Sequence, residues 1–109
     1  MQLNPPSALI YMAIGLREGA GKYGAWNYRE YSIEAMTYIG AIQRHLAAFV
    51  DGEDLDTEGV LVKPHLAGAI ASLAILIDAY EEGTLIDNRP YSRGLRSSAA
   101  ALLRDYTLD

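Results

Sequence analysis

The chain has 109 residues and no cysteine; half of it is hydrophobic, 21% is charged, and the formal net charge is −5. These values describe one folded domain over residues 1–109 and exclude a disordered chain, a disulfide scaffold and a thiolate metal centre. The acidic balance also argues against a DNA or RNA binder, which needs a basic face to displace counterions, but it leaves room for a small anionic ligand met by a few arginines or by bridging divalent cations.

In chain order, Asn4-Pro5-Pro6 predicts a helix start, with Asn4 as N-cap and Pro5 at the first helical position. Leu9, Met12, Ala13, Leu16, Ala20 and Tyr23 then recur at helical spacing. No basic segment precedes this apolar stretch, so it does not read as a signal peptide. Gly19, Gly21 and Gly24 weaken its end and allow a turn within GKYGAWNY. A second helix is predicted from Tyr31-Ser32-Ile33-Glu34, capped by Ser32. Its apolar stripe is Ile33, Met36, Ile39, Ile42, Leu46, Phe49 and Val50, and Gly52 sits just past its end.

An acidic loop extends to Lys63; within it, Val60-Leu61-Val62 suits a short extended piece. Pro64 begins a third helix, from His65 to about Glu82, which is apolar nearly all round until Asp78. Such a helix is central in a bundle or is covered by a second subunit. A turn with Gly83, Asn88 and Pro90 leads to a fourth helix carrying Leu95, Ala99, Leu102, Leu103 and Tyr106 on one face. The expected fold is an all-α compact bundle of about four helices, assembled as a homo-oligomer in which sites can be shared between subunits. No uncharged run, the apolar stretch at residues 65–77 included, reaches the roughly 20 residues needed to span a bilayer. No membrane partner is expected, and the chain is placed in the cytosol.

Five acids fall within residues 51–58, between the two histidines, His45 and His65. From Asp54 the loop approaches a calcium-loop pattern, but its fifth position is Glu58 and its twelfth is His65, so the bidentate glutamate that closes a calcium sphere is missing. Magnesium or manganese suits it better, because these ions take few carboxylates and use substrate phosphates as further ligands. Glu53, Asp54, Asp56 and Glu58 offer oxygens, and either histidine offers nitrogen to manganese. The same acids also read as a solubilising loop ahead of a helix. His45 lies on a helical stripe with Glu34, Tyr38 and Ala41, where a histidine near a helix C-terminus is also unremarkable. On the face of His65 come Gly68, Ala69 and Ser72, small residues that leave room for a ligand or for a closely packed helix.

REGAGKYGAWNY is not a phosphate-binding P-loop: Lys22 is followed by Tyr23, and Leu16 stands where the first glycine is required. Glu18 and Lys22 lie one turn apart, either as an exposed ion pair or as a metal ligand beside a phosphate contact. Trp26, Tyr28 and Tyr31 are candidates for stacking on a base. Arg89, Arg93 and Arg96 can fork around phosphates or form surface ion pairs.

Taken in order, EGAGKYGAWNY, RHLAAFVDGEDLDTEG and HLAGA resemble a phage family, the N-terminal domain of dATP/dGTP diphosphohydrolases, and more loosely the MazG-like all-α nucleoside triphosphate pyrophosphohydrolases. The resemblance covers most of residues 5–80. It implies release of pyrophosphate from a deoxypurine triphosphate with Mg²⁺ or Mn²⁺ bridging carboxylates and phosphates. On that reading Glu18, Glu53, Asp56 and Glu58 hold metal, while His45, His65 and Glu53 serve catalysis. Lys22, Arg44, Arg89 and Arg93 meet phosphates, and Trp26, Asn27 and Tyr28 meet the nucleoside. The chain departs from the pattern in two places: the EExxE and ExxD pair of MazG proteins is absent, and Gly68 stands where the phage family is expected to carry a second histidine. A binding protein that sequesters a cyclic or modified nucleotide signal of host defence, without hydrolysing it, is the alternative.

Overall fold

The computed structural model describes residues 3–59 and 61–91. Helix α1 spans Pro6–Tyr23, one residue later than the sequence suggests, with Pro5 as N-cap. The shift follows from the second proline: Pro6 pushes the residue before it out of the helical region, and Pro5 is extended at ψ 126°. Gly24, at φ 95°, ends the helix and donates its N–H to the Ala20 carbonyl. A short helix α2, Asn27–Glu30, follows.

Ser32 does not cap the next helix. Ile33–Glu34 instead forms strand β1, and helix α3 starts only at Ala35 and runs to Val50. Two distant segments account for the delay. β1 pairs in parallel with β4, Leu85–Ile86, and the side chain of Asn88 accepts the Met36 N–H at 2.8 Å. The helix is therefore capped across the fold rather than from its own leading residues. At its other end Gly52 adopts φ 93° just past the last turn, as its position implies.

Strands β2 (Leu55–Asp56) and β3 (Lys63–Pro64) pair antiparallel, with Asp56 opposite Lys63. The extended piece thus falls at Lys63–Pro64 rather than at Val60-Leu61-Val62, and Val60 lies outside the described residues. Helix α4, His65–Glu82, has the predicted bounds, with Pro64 as N-cap and Gly83 left-handed at its end. The fourth helix expected around Leu95 to Tyr106 also lies outside the described residues.

With β2–β3 joining one end of α3 and α4 and β1–β4 joining the other, the two helices run antiparallel. α1 crosses α4 at Gly15, where an added Cβ would collide with the Ala67 carbonyl and the Ala71 side chain. Small side chains dominate the interior: Ala35, Ala67, Ala69, Ala71 and Ala79 are buried together with Ile33, and among the described residues no large side chain is fully enclosed. The larger apolar residues line an open groove of about 580 Å³ formed by Tyr11, Ile42, Leu46, Leu66, Ile70 and Leu73. Among the described residues, no helix is long and apolar enough to cross a membrane.

The backbone contact at Gly15 makes Gly15→Ala an overpacking change, expected to cost about 1–3 kcal/mol in urea unfolding. Gly19→Ala, where nothing lies within 4 Å of the new Cβ, is expected to be neutral or stabilising by up to about 1 kcal/mol.

Candidate functional site

The two histidines meet at the hairpin end of the α3–α4 pair. His65 is the first residue of α4, and its backbone N–H is held by the Asp54 carbonyl at 2.9 Å. His45 lies near the end of α3 and is 6% exposed; His65 is 8% exposed. Their Nδ1 atoms stand 2.9 Å apart. Gly68, one turn into α4, makes the approach possible: a Cβ there would lie 2.5 Å from Nε2 of His45 and within 2.9 Å of two further ring atoms. The ring of His45 therefore occupies the space that a side chain at position 68 would fill.

Asp56 closes the group from β2. One of its oxygens is 3.9 Å from His45 Nδ1, and the ligand atoms of His45, Asp56 and His65 all lie within 4.8 Å of one another. Two imidazole nitrogens about 2.1 Å from one ion are separated by about 3.0 Å at a right angle and by about 3.4 Å at a tetrahedral angle. The observed spacing lies within reach of one ion, so the two imidazoles and the carboxylate present fit a divalent cation. Glu53 stands at the rim, 3.8 Å from His65 Nε2, with an exposed side chain.

Asp56 also has partners besides the histidines. Its Oδ1 accepts the Glu58 N–H at 3.0 Å, and its Oδ2 accepts from Lys63 Nζ at 3.3 Å. Lys63 is 5% exposed, and its Nζ also lies 3.6 Å from Glu18 Oε2. Glu18, projecting from α1, is equally buried. Its other oxygen is 3.2 Å from Lys22 Nζ, too poorly aligned for a hydrogen bond, so that buried atom has no hydrogen-bond partner. Gly59 gives this carboxylate room, since a Cβ there would strike it.

Burial pushes the His45 imidazole below its ordinary 6.5; the Arg44 and Lys63 charges push it further, against the pull of Asp56. Burial works to raise the Asp56 carboxyl, but the Glu58 N–H and Lys63 outweigh it and hold the group below its ordinary 3.8. Near neutral pH this leaves a neutral imidazole beside a carboxylate, the protonation states that metal ligation requires.

Two clefts open on this group. One, about 420 Å³, is lined by Glu18, Tyr23, Asn27, Thr37, Tyr38 and His45. The other, about 710 Å³, is lined by Glu53, Glu58, Gly59 and His65. Lys22, Arg44 and Asp56 line both. Of the residues singled out in the sequence, His45, His65, Glu53, Asp56, Glu58, Glu18, Lys22, Asn27 and Arg44 therefore gather here. Trp26 and Tyr28 pack against each other at 5.8 Å and line neither cleft; Tyr28 faces a small depression with Leu16 and Asp78 instead. Arg89 pairs with Asp87 beside the far ends of α3 and α4, by Ala35 and Tyr80. Arg93 and Arg96 lie outside the described residues. Lys63, Tyr23 and Tyr38 escape a sequence reading. Only the placing of Lys63 one residue before a helix-starting proline, in step with Asp56 across a hairpin, hints at its role.

Gly68→Ala is expected to displace the His45 ring and weaken Mn²⁺ binding by about tenfold or more, read by titration calorimetry. The depressed His45 pKa sets a sign for stability without metal. As pH falls through 6.5 the unfolded chain takes up a proton that the folded chain resists, so stability present above that value is lost below it. In a chelator, thermal unfolding is expected to be flat from pH 8 to 7 and to fall from pH 6.5 to 5, with a smaller fall in His45→Gln.

No curated protein and no solved structure shows a significant match to the chain. A family described as dATP/dGTP diphosphohydrolase, N-terminal, matches residues 1–89, which include every element of the site. That span takes in most of the sequence, and the chain belongs to this family.

Proposed function

We propose that the protein hydrolyses a deoxypurine nucleoside triphosphate between its α and β phosphates, releasing pyrophosphate. The observation that carries this reading is the His45–His65 pair at 2.9 Å with Asp56 beside it, set between two clefts that share Lys22 and Arg44. A divalent ion held by His45, Asp56 and His65, manganese or magnesium, would supply Lewis-acid stabilisation of charge developing on the phosphates. Lys22 and Arg44 stand where a chain of phosphates passes from one cleft to the other, and neutralise it by charge-assisted hydrogen bonds. The smaller cleft receives the nucleoside, with Tyr23 and Tyr38 as flat walls and the Asn27 amide as a donor and acceptor for the base.

In the reaction, water attacks the α phosphorus, the bond to the bridging oxygen breaks, and pyrophosphate leaves with that oxygen. The proton of the water passes to a base at the rim. We assign that part to Glu53, an assignment supported by its exposure to solvent and its contact with His65 at the rim. The family description names this class of substrate, and the cytosol is where such a pool is found. The open apolar groove formed by α1, α3 and α4 further supports a homo-oligomer.

The test is incubation of the pure protein with a panel of deoxynucleoside triphosphates and Mn²⁺, followed by anion-exchange chromatography. Monophosphate and pyrophosphate are expected in equal amounts. Activity should be absent with EDTA and reduced at least roughly a hundredfold in His65→Ala. A triphosphate depleted from solution and recovered intact on heating would show binding without hydrolysis and remove the catalytic assignment.

A further inference from the structure

Lys63 is the feature that the proposed reaction leaves unused. A lysine side chain that is 95% shielded from solvent needs compensating charge, and it has two carboxylates: Asp56 Oδ2 at 3.3 Å and Glu18 Oε2 at 3.6 Å. Glu18 is a buried carboxylate whose second oxygen has no hydrogen-bond partner. Asp56 is shared through a single oxygen: Oδ2 lies 3.3 Å from the lysine and 3.9 Å from His45 Nδ1. A bridging carboxylate with a buried, incompletely satisfied carboxylate beyond it is the ligand arrangement of a two-cation centre, in which the ions lie about 3.5–4 Å apart. Here the second position is taken by an ammonium group. Its location is set by the backbone, because the β2–β3 register holds Lys63 opposite Asp56.

We propose that Lys63 is a built-in cation in the seat between Glu18 and Asp56 that a second divalent ion would otherwise take, so that the centre binds a single divalent ion, at His45, Asp56 and His65. An ion entering the lysine's seat would meet a unit positive charge at contact distance, in a site too dry to screen it. The carboxylate of Glu18 is then a partner of lysine and not a metal ligand. With its second charge covalently attached, the centre needs only one equivalent of metal, and its affinity for that ion does not depend on filling a neighbour first.

The single-ion half of the inference rests on the metal reading of the site; the lysine half does not, and metal counting separates them. Wild type, Lys63→Met, Lys63→Gln and Glu18→Gln, each checked for fold by circular dichroism, would be equilibrated with Mn²⁺ on a gel-filtration column and assayed for bound metal by mass spectrometry. The expected counts are one ion per chain in wild type and in Glu18→Gln, and two in Lys63→Met and Lys63→Gln. Two ions in wild type, or loss of the single ion in Glu18→Gln, would overturn the proposal even if neither lysine variant folds. An unchanged count in folded lysine variants would overturn it as well. No ion in wild type but one in the lysine variants would remove the His–Asp–His assignment and support the seat between Glu18 and Asp56.

Discussion

The contact between the His45 ring and the backbone of Gly68 is the constraint on which the site depends. Any side chain at position 68 would occupy the volume of the imidazole, and the ring would have to leave His65. The glycine that departs from the expected family pattern is therefore part of how this chain brings its two histidines within 2.9 Å. Interiors are close-packed, so one missing Cβ is enough to decide which of two side chains, at 45 or at 68, fills the space between α3 and α4.

Around that contact the charges alternate. Lys22, Glu18, Lys63 and Asp56 follow one another from α1 through the hairpin to the histidines, each within 3.6 Å of the next. Glu18, Lys63 and His45 are buried, and a buried ion costs more in desolvation than an imperfect partner returns. Such a chain contributes little net stability, but removing any one member leaves a charge without its counterpart. The alternation fixes relative positions instead. Asp56 is held ionised by Lys63 and the Glu58 N–H while His45 is held neutral by burial, so the two enter the site in different charge states set by different causes.

Much of this was legible in the sequence, though unevenly. Helix α4 was readable to the residue because Pro64 and Gly83 mark its ends locally. The start of α3 was not, because Ser32 is a good local cap that loses to β1–β4 pairing and to Asn88, more than fifty residues away. Pattern reading sees neighbours along the chain, and that choice is made by a segment arriving later. The site shows the same division. His45, His65, Asp56, Glu18 and Lys22 could each be named from residue type and motif, but their convergence depends on α1 crossing α4 at Gly15 and on the hairpin register. Lys63 had little signal beyond its place before Pro64, since a lone lysine before a proline is usually solvated. Tyr23 and Tyr38 were hidden among eight tyrosines, while the more conspicuous Trp26 and Tyr28 turned to each other.

Helix α2 brings Asn27 to the wall of the smaller cleft, yet it is only four residues long and buries none of them. Its hold on α4 includes the fork of Arg29 on Asp78, with both contacts at 2.7 Å, and a weaker contact to Glu82. These ion pairs face solvent, where mobile ions at physiological strength screen charge over about 8 Å. The pocket thus has walls of two kinds. The histidine and lysine side is built of buried groups, whereas the Asn27 side is tethered by contacts that salt weakens. Ionic strength therefore acts more on the tether of the Asn27 wall than on the buried group at the floor of the cleft.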